Sequence, residues 1–164
     1  MQAKRGFTLL ELIIVLIISM LLITIGIPGF NTLIQNNRLS STASNIQNQL
    51  SFARSQSISL INFVTICPLV NNNCTNNWIN GLDIFIDHNK NKIYDSGDQL
   101  LKSGHKFNSA DKLLFSQNQG ITFAPDGHLN GSSALFRYCS GDKAIGIKVA
   151  YSGRAKIVEV SDCE

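Results

Sequence analysis

The distribution of apolar residues divides the chain into segments of different character. Residues 7–27 form an apolar run whose only ionisable side chain is Glu11. Further on, apolar or small residues recur at alternating spacings of four and three, which is the period of a helix with one buried face. They are Leu39, Ala43, Ile46, Leu50, Ala53, Ser57 and Leu60. After Ile61 the pattern changes to short β-like runs.

The first two segments predict one long helix, from about Phe7 to Ser59. Residues 7–27 would be roughly 30 Å long as a helix, which matches the hydrocarbon core of a membrane. Pro28 and Gly29 predict a kink or a locally melted turn. We therefore expect a transmembrane half at 7–27 and an amphipathic half at 28–61 that packs on a globular domain. A coiled coil is the alternative, but charged flanking positions are missing.

The remaining residues, 62–164, predict a globular domain of mainly antiparallel β-strands. Turns rich in glycine and asparagine separate the runs, and 71–77 is expected to be a polar loop. The strand candidates are 62–67, 82–87, 99–102, 112–115, 121–123, 135–139, 143–151 and 154–160. The predicted fold class is α+β, with a long N-terminal helix followed by the β domain.

The charges and cysteines indicate an exported chain. The net charge is only +3, and Lys4 and Arg5 precede the apolar run, which keeps the first residues in the cytoplasm and sends the rest outward. An even set of cysteines then favours disulfides over zinc, which would need CxxC-like spacings or nearby histidines. Sequence leaves three pairings of Cys67, Cys74, Cys139 and Cys163 open. Cys67–Cys74 with Cys139–Cys163 is favoured, and reduced buried pairs are the alternative.

Glu11 is the costly residue of the apolar run, because a carboxylate inside a bilayer must be neutralised or paired. Arg5-Gly6-Phe7-Thr8-Leu9-Leu10-Glu11 resembles the processing site of type IV pilins and type II secretion pseudopilins. The resemblance implies that a prepilin peptidase removes residues 1–6 by cutting between Gly6 and Phe7, and methylates the new N-terminus. It also implies that Glu11 neutralises the Phe7 ammonium group, on its own helix or on a neighbouring subunit during assembly.

Motifs in the second half are similar to the GspH pseudopilin and the FimT/FimU minor pilins. They are Trp78-x-x-Gly81-x-x-x-Phe85-x-Asp87-x-Asn89-x-Asn91, Phe123-Ala124-Pro125-Asp126-Gly127, Phe136-x-x-Cys139 and Tyr151-Ser152-Gly153-Arg154. The resemblance implies a pilin-like fold in a single-pass protein of the bacterial inner membrane, with a periplasmic globular domain, that later enters a pilus or pseudopilus. The implied partners are the prepilin peptidase/methyltransferase, the inner-membrane assembly platform, and other minor and major pilins.

The resemblance favours a structural function. We expect a minor type IV pilin that helps to prime pilus assembly and lies at or near the tip. The alternatives are a DNA receptor for natural transformation and a minor pseudopilin of a type II secretion system. The chain has no GxSxG, HExxH, P-loop or GxGxxG motif, and its histidines are scattered in polar turn contexts. We therefore expect neither catalysis nor a cofactor.

Basic residues near the C-terminus are the candidates for DNA binding. They are Arg137, Lys143, Lys148, Arg154 and Lys156, against one acid, Asp142. FimT-type DNA receptors carry an arginine-rich extension of the Gly-Arg motif, of which this chain has only Arg154 and one lysine before an acidic tail. A solvated strand face is the favoured interpretation.

The segment from Asp87 to Asp98 is a weak calcium-loop candidate. Oxygen-bearing side chains occupy several EF-hand positions, namely Asp87, Asn89, Asn91, Asp95 and Asp98. However, Lys92 replaces the glycine that the sharp turn needs, and Asp98 is shorter than the usual bidentate glutamate. A polar hairpin loop explains the same residues, and no metal is expected.

Overall fold

The computed structural model describes residues 8–117 and 119–163, with the backbone alone for 25–29 and 31. Helix α1 spans Leu9–Leu60 and is helical throughout, including Pro28 and Gly29. The locally melted turn, which was one of the two possibilities predicted at Pro28 and Gly29, is therefore not observed. The chain divides into two compact units, the first ending at Asn37 and the second beginning at Arg38.

The first unit is the N-terminal part of α1. Its apolar side chains are exposed on every side of the helix from Leu9 to Ile23. The hydroxyls of Ser19 and Thr24 donate to the backbone carbonyls of Val15 and Leu21, so the helix itself satisfies both groups. Within the ranges that the structure describes, no helix combines the length and the apolar character that crossing a membrane requires.

The second unit contains antiparallel β-sheets. One four-stranded sheet has the order β5-β4-β1-β7, another has the order β10-β9-β8-β6, and β2 pairs with β3 in a small hairpin. The strands are β1 (Val64–Cys67), β2 (Leu69–Val70), β3 (Asn73–Cys74), β4 (Asp83–Ile86), β5 (Gln99–Lys102), β6 (Lys112–Phe115), β7 (Ile121–Phe123), β8 (Ala134–Ser140), β9 (Lys143–Val149) and β10 (Ala155–Val158). These elements confirm the α+β class.

Two local predictions are wrong. The polar loop expected at 71–77 contains β3, because its backbone pairs with Leu69 and Val70 of β2. Leu60, expected at the end of the buried stripe, is 44% exposed because the helix ends at this residue. The rest of the stripe, from Leu39 to Ser57, is buried as predicted.

The core joins the helix stripe to both large sheets. Inward-facing residues of β1, β4, β7, β8 and β9 belong to the same buried cluster as the helix residues. Trp78 lies in a 3₁₀ turn, with its ring 4.6 Å from that of Phe115 and 4.9 Å from that of Phe136. Such aromatic pairs stabilise a core beyond the area that they bury.

Two disulfides close the second unit. Cys67 of β1 is joined to Cys74 of β3, and Cys139 of β8 to Cys163 near the C-terminus, which is the pairing favoured from the sequence. Two valines near the C-terminus pack against Gly146 of β9, because a Cβ atom there would lie 2.7 Å from a methyl group of Val160 and 2.8 Å from one of Val158.

A buried polar network fixes α1 against β8. Arg38 Nη2 donates to Ser140 Oγ at 2.7 Å, and Arg38 Nε lies 3.0 Å from Asp111 Oδ2. The Tyr138 hydroxyl donates to the same carboxylate oxygen. Burial, and then the hydrogen bond to Asp111, raise the pKa of Tyr138 to about 12, although a hydrogen bond from Thr42 opposes the shift.

The network predicts a loss of stability in alkali. Because the pKa of Tyr138 is raised in the folded state, the unfolded chain releases this proton first. The stabilisation is therefore complete below about pH 10 and is lost as the pH rises towards 12, by about 3 kcal/mol. Tyr138→Phe should lack this part of the pH dependence. Urea unfolding of the full chain, followed by Trp78 fluorescence, measures it, and parallel pH curves for the two proteins would contradict it.

Candidate functional site

The first turn of α1 holds the assembly candidate, Glu11. The Glu11 backbone N–H donates to Thr8 Oγ1 at 3.2 Å, so Thr8 caps the helix. Glu11 stands three residues after the cap, in the position of a capping box, and a carboxylate there also favours the helix dipole. The Thr-x-x-Glu spacing of this cap is visible in the sequence, although the apolar pattern does not mark it. Among residues 8–117 and 119–163, the Glu11 carboxylate has no hydrogen-bond or ion-pair partner. Gly6 and Phe7 lie outside the described residues.

Two motifs of the globular domain meet at Arg54 of α1. Arg54 Nε donates to the Gly127 carbonyl oxygen at 3.0 Å, and Gly127 ends the motif that begins at Phe123. Gly153, in the motif that begins at Tyr151, packs against the same carbonyl: a Cβ atom on Gly153 would lie 2.0 Å from it. Sequence analysis did not single out Arg54, because the period of the helix marks its buried positions and not its hydrogen bonds.

The turn between β9 and β10 is built around Gly153. The Gly153 N–H donates to the Ala150 carbonyl at 2.8 Å, and the Ala150 N–H donates to the Arg154 carbonyl at 3.0 Å. Gly153 has a φ of +77°, a conformation that glycine adopts without steric cost. The turn leaves Tyr151 and Arg154 exposed at one end of the sheet.

The structure brings three of the five basic candidates together. Lys148 of β9 and Lys156 of β10 are directly opposite in register, and both are exposed. Arg154 directly precedes β10 in the turn after β9 and is exposed, so it lies two residues from Lys156 along the chain. We call Lys148, Arg154 and Lys156 the cationic face.

The other two basic candidates are separate from the cationic face. Arg137 shares its side of the sheet but lies on β8, opposite Gly146, and is half-buried. Lys143 lies opposite Ser140, whose side chain points to Arg38, so the alternation places Lys143 on the other side of the sheet.

A shallow groove runs beside the cationic face, between α1 and β10. Its volume is about 370 Å³. The helix contributes hydroxyls one turn apart, those of Ser51, Ser55 and Ser59, and β10 contributes Ala155 beside Arg154. The groove therefore combines hydroxyl donors with guanidinium groups, which are the side chains that contact phosphate groups.

The calcium candidates form a hydrogen-bonded turn. Asp87 is buried and accepts hydrogen bonds from Thr65 Oγ1 at 2.8 Å and from the backbone N–H groups of Asn91 and Lys92 at 3.1 Å. Since these donors occupy its oxygens, Asp87 anchors the turn. Within the described ranges, no three His, Cys, Asp or Glu side chains are grouped to hold a metal ion.

The half-buried carboxylates of this turn, Asp95 and Asp98, also accept hydrogen bonds from the loop. Asp95 accepts from the Gly97 N–H and from the side-chain amides of Asn89 and Asn91, and these bonds lower its pKa. Asp98 accepts from the backbone N–H groups of His88 and Asp95. The arrangement is that of a turn stabilised by Asn and Asp side chains.

Comparison with known families gives the identity. Residues 42–155 match the family model of the type II transport protein GspH, which is well over half of the chain. The chain belongs to the GspH family.

Residues 1–27 match the prokaryotic N-terminal methylation motif. This family consists of structural pilin and pseudopilin subunits, which confirms that the chain is not an enzyme. Membership and the motif together imply processing by a prepilin peptidase, pilin partners and membrane-anchored assembly.

Solved structures confirm the pilin-like fold of this GspH-family chain. The type IV minor pilin FimU of Pseudomonas aeruginosa, in two crystal forms, aligns with TM-scores of 0.62 and 0.60 at 19% and 20% identity. These alignments cover 79% and 77% of this chain and 97% and 100% of FimU. The minor pseudopilin EpsH from the type 2 secretion system of Vibrio cholerae has a TM-score of 0.54 at 8% identity, covering 74% of this chain and 97% of EpsH. No curated protein sequence matches the chain closely enough to count as a relative.

The close approach at Gly153 predicts that its motif glycine is structural. Gly153→Ala should lower the free energy of unfolding by at least about 2 kcal/mol, because the methyl group overlaps the Gly127 carbonyl and the positive φ disfavours alanine. Gly97→Ala is the matched control, since its Cβ would meet only Asp95 Oδ1 at 3.5 Å. Urea unfolding compares both variants with the wild type, and an equal effect of the two substitutions would contradict the prediction.

Proposed function

We propose that this chain is a minor type IV pilin that helps to prime pilus assembly at the inner membrane and lies at or near the pilus tip. The two halves of α1 carry the proposal. From Leu39 to Ser57 the apolar stripe is buried in the second unit, whereas from Leu9 to Ile23 the apolar side chains are exposed on every side. A helix that is apolar all round needs lipid or other helices around it. Residues 7–27 would therefore lie in the membrane before assembly and among other subunits afterwards.

Glu11 supplies the docking element of this proposal. A carboxylate without a partner costs several kcal/mol in an apolar environment. Cleavage between Gly6 and Phe7 would create an ammonium group that balances the charge, either on the same helix or on the neighbouring subunit in the filament. Pairing between subunits would then favour assembly over the isolated membrane state.

A minor pseudopilin of a type II secretion system is the alternative that shares the fold. A type IV minor pilin and a minor pseudopilin are both among the solved structures that share this fold, so the fold is compatible with either role. The two roles predict different phenotypes when the gene is deleted: loss of surface pili for the minor pilin, and loss of protein secretion for the pseudopilin.

The cationic face supports a second candidate, DNA binding. Like charges directly opposite each other across two strands destabilise a sheet, and Lys148 and Lys156 form such a pair. In the part of the chain that the structure describes, neither lysine nor Arg154 has an ion pair with an acidic side chain. A phosphate backbone would supply the missing counter-charge, as expected of a receptor in DNA uptake.

Substitutions at Glu11 test the docking role. Glu11→Ala removes both the charge and the length of the side chain, whereas Glu11→Gln removes the charge and keeps a side chain of the same length that a capping box also accepts. We expect both variants to reach the membrane at wild-type levels and to enter sheared pili at least about tenfold less, because a tenfold loss needs only about 1.4 kcal/mol of the pairing energy. Immunoblots of membrane and pilus fractions measure this.

The comparison of the two substitutions separates charge from capping. Thr8→Ala is the matched control, since it removes the observed cap and leaves the charge. Normal assembly of Glu11→Gln together with poor assembly of Thr8→Ala would show that helix capping matters and that the charge does not.

Salt-dependent binding tests the DNA candidate. Arg154→Ala, Lys156→Ala and Lys148→Ala should each weaken binding of duplex or single-stranded DNA and reduce the slope of log affinity against log salt by about one, as each removes one phosphate contact. Lys106→Ala, an exposed lysine outside the sheets, should change neither quantity. Fluorescence anisotropy with the full chain in a non-ionic detergent measures both. Absence of binding at low salt would end this candidate.

A further inference from the structure

Asparagine is followed by glycine at two places in the chain, Asn80-Gly81 and Asn130-Gly131. This dipeptide can rearrange without an enzyme, because the backbone nitrogen of the glycine can attack the side-chain carbonyl carbon of the asparagine. Glycine favours the attack, since it has no Cβ atom and its backbone reaches conformations that other residues avoid. The reaction in the folded chain therefore depends on how freely each glycine nitrogen can move.

The fold holds the first pair in place. Asn80 is half-buried at the end of the 3₁₀ turn, and the Gly81 N–H donates to the Trp78 carbonyl at 3.2 Å. Gly81 is buried with a φ of +119°, and a Cβ atom there would lie 2.8 Å from the His105 carbonyl oxygen. The nitrogen that would attack is therefore engaged in a hydrogen bond, in a backbone that packs closely against another segment.

The second pair has the opposite arrangement. Asn130 and Gly131 are both exposed, and a Cβ atom on Gly131 would have no neighbour within 4 Å. The Asn130 N–H donates to the carbonyl of Thr122 in β7 at 2.8 Å, which anchors the asparagine. Across the described ranges of the chain, the Gly131 N–H donates to no acceptor. The asparagine is thus fixed, while the glycine nitrogen is free to approach its side chain.

We propose that Asn130 is a site of spontaneous deamidation in the folded protein and that Asn80 is not. The Gly131 nitrogen forms a bond to the Asn130 side-chain carbonyl carbon, and the bond from that carbon to the amide nitrogen breaks. The amide nitrogen takes up the proton that the Gly131 nitrogen loses and leaves as ammonia. Water then opens the cyclic imide to aspartate or isoaspartate. Such an intramolecular attack needs the two atoms to come within about 3–3.5 Å of each other.

The new carboxylate would lie near a cation. Asn130 and Lys92 line the same cavity of about 20 Å³, and Lys92 Nζ donates to the Gln119 carbonyl at 3.3 Å. An acidic side chain at position 130 would therefore have an opposite charge close to it. Residues 130–133 contain no charged side chain, so deamidation changes this turn from neutral to negative. The inference does not depend on the proposed role in pilus assembly.

Ageing of the full chain tests the proposal. In a mildly alkaline buffer with a non-ionic detergent, well below the pKa of Tyr138, peptide mapping by mass spectrometry follows both asparagines. Conversion at Asn130 should be at least about tenfold faster than at Asn80, since a cost of only about 1.4 kcal/mol for opening the turn at Gly81 gives this difference. The product at position 130 should contain isoaspartate as well as aspartate, because the imide can open at either carbonyl.

The unfolded chain supplies the matched control. With the disulfides reduced in concentrated urea, both pairs should react at rates within about twofold of each other, because the unfolded chain imposes little structure on either. Asn130→Gln should suppress the reaction at this position in the folded protein, because glutamine would have to close a larger ring.

Three results would overturn the proposal. Equal rates at Asn80 and Asn130 in the folded chain would show that the fold does not protect the first pair. The same ratio of rates in urea as in the folded chain would assign the difference to neighbours in the sequence. Aspartate without isoaspartate at position 130 would exclude attack by the Gly131 nitrogen.

Discussion

Burial of one helix stripe is the interaction on which the globular unit depends. Ala43, Ile46 and Leu50 have no exposed surface, and they belong to the same core as the inward residues of both four-stranded sheets. Neither sheet is paired to the other through strand hydrogen bonds, so packing against the helix supplies the common core. Apolar packing alone would allow the helix to slide along the sheet. Arg38, at the start of this unit, prevents this, because its contacts with Asp111 and Ser140 fix the position of the helix along β8.

Runs of apolar residues in the sequence predicted the buried stripe of the helix and the positions of several strands. The strands 99–102, 112–115 and 121–123 have the predicted bounds, and the helix stripe is buried as predicted from Leu39 to Ser57. The small hairpin of β2 and β3 escaped prediction, because its strands have only two residues each and β3 is polar. The prediction that Leu60 is buried was wrong for another reason, because the period of the stripe carries no information about where the helix ends.

The sequence predicted which basic residues could form the candidate site, but not which of them lie next to each other. Basic residues near the C-terminus were evident, but strand register decides which of them meet, and register placed Lys148 opposite Lys156 while separating Lys143. Arg54 gave no such signal, since its role arises from a contact with a residue far along the chain, Gly127. Such contacts depend on tertiary structure, and the local pattern of the sequence does not contain them.

Two features of the single chain place charges where they are energetically unfavourable. Glu11 carries a charge in an apolar helix, and Lys148 and Lys156 place like charges side by side. Each arrangement costs free energy in the single chain, and among the described residues none of these charges has an ion-pair partner. Ser19 and Thr24 show the contrast, because their hydroxyls bond to their own helix and need nothing further. The same argument therefore lies behind both proposals, a second subunit as the partner of Glu11 and an anionic ligand as the partner of the cationic face.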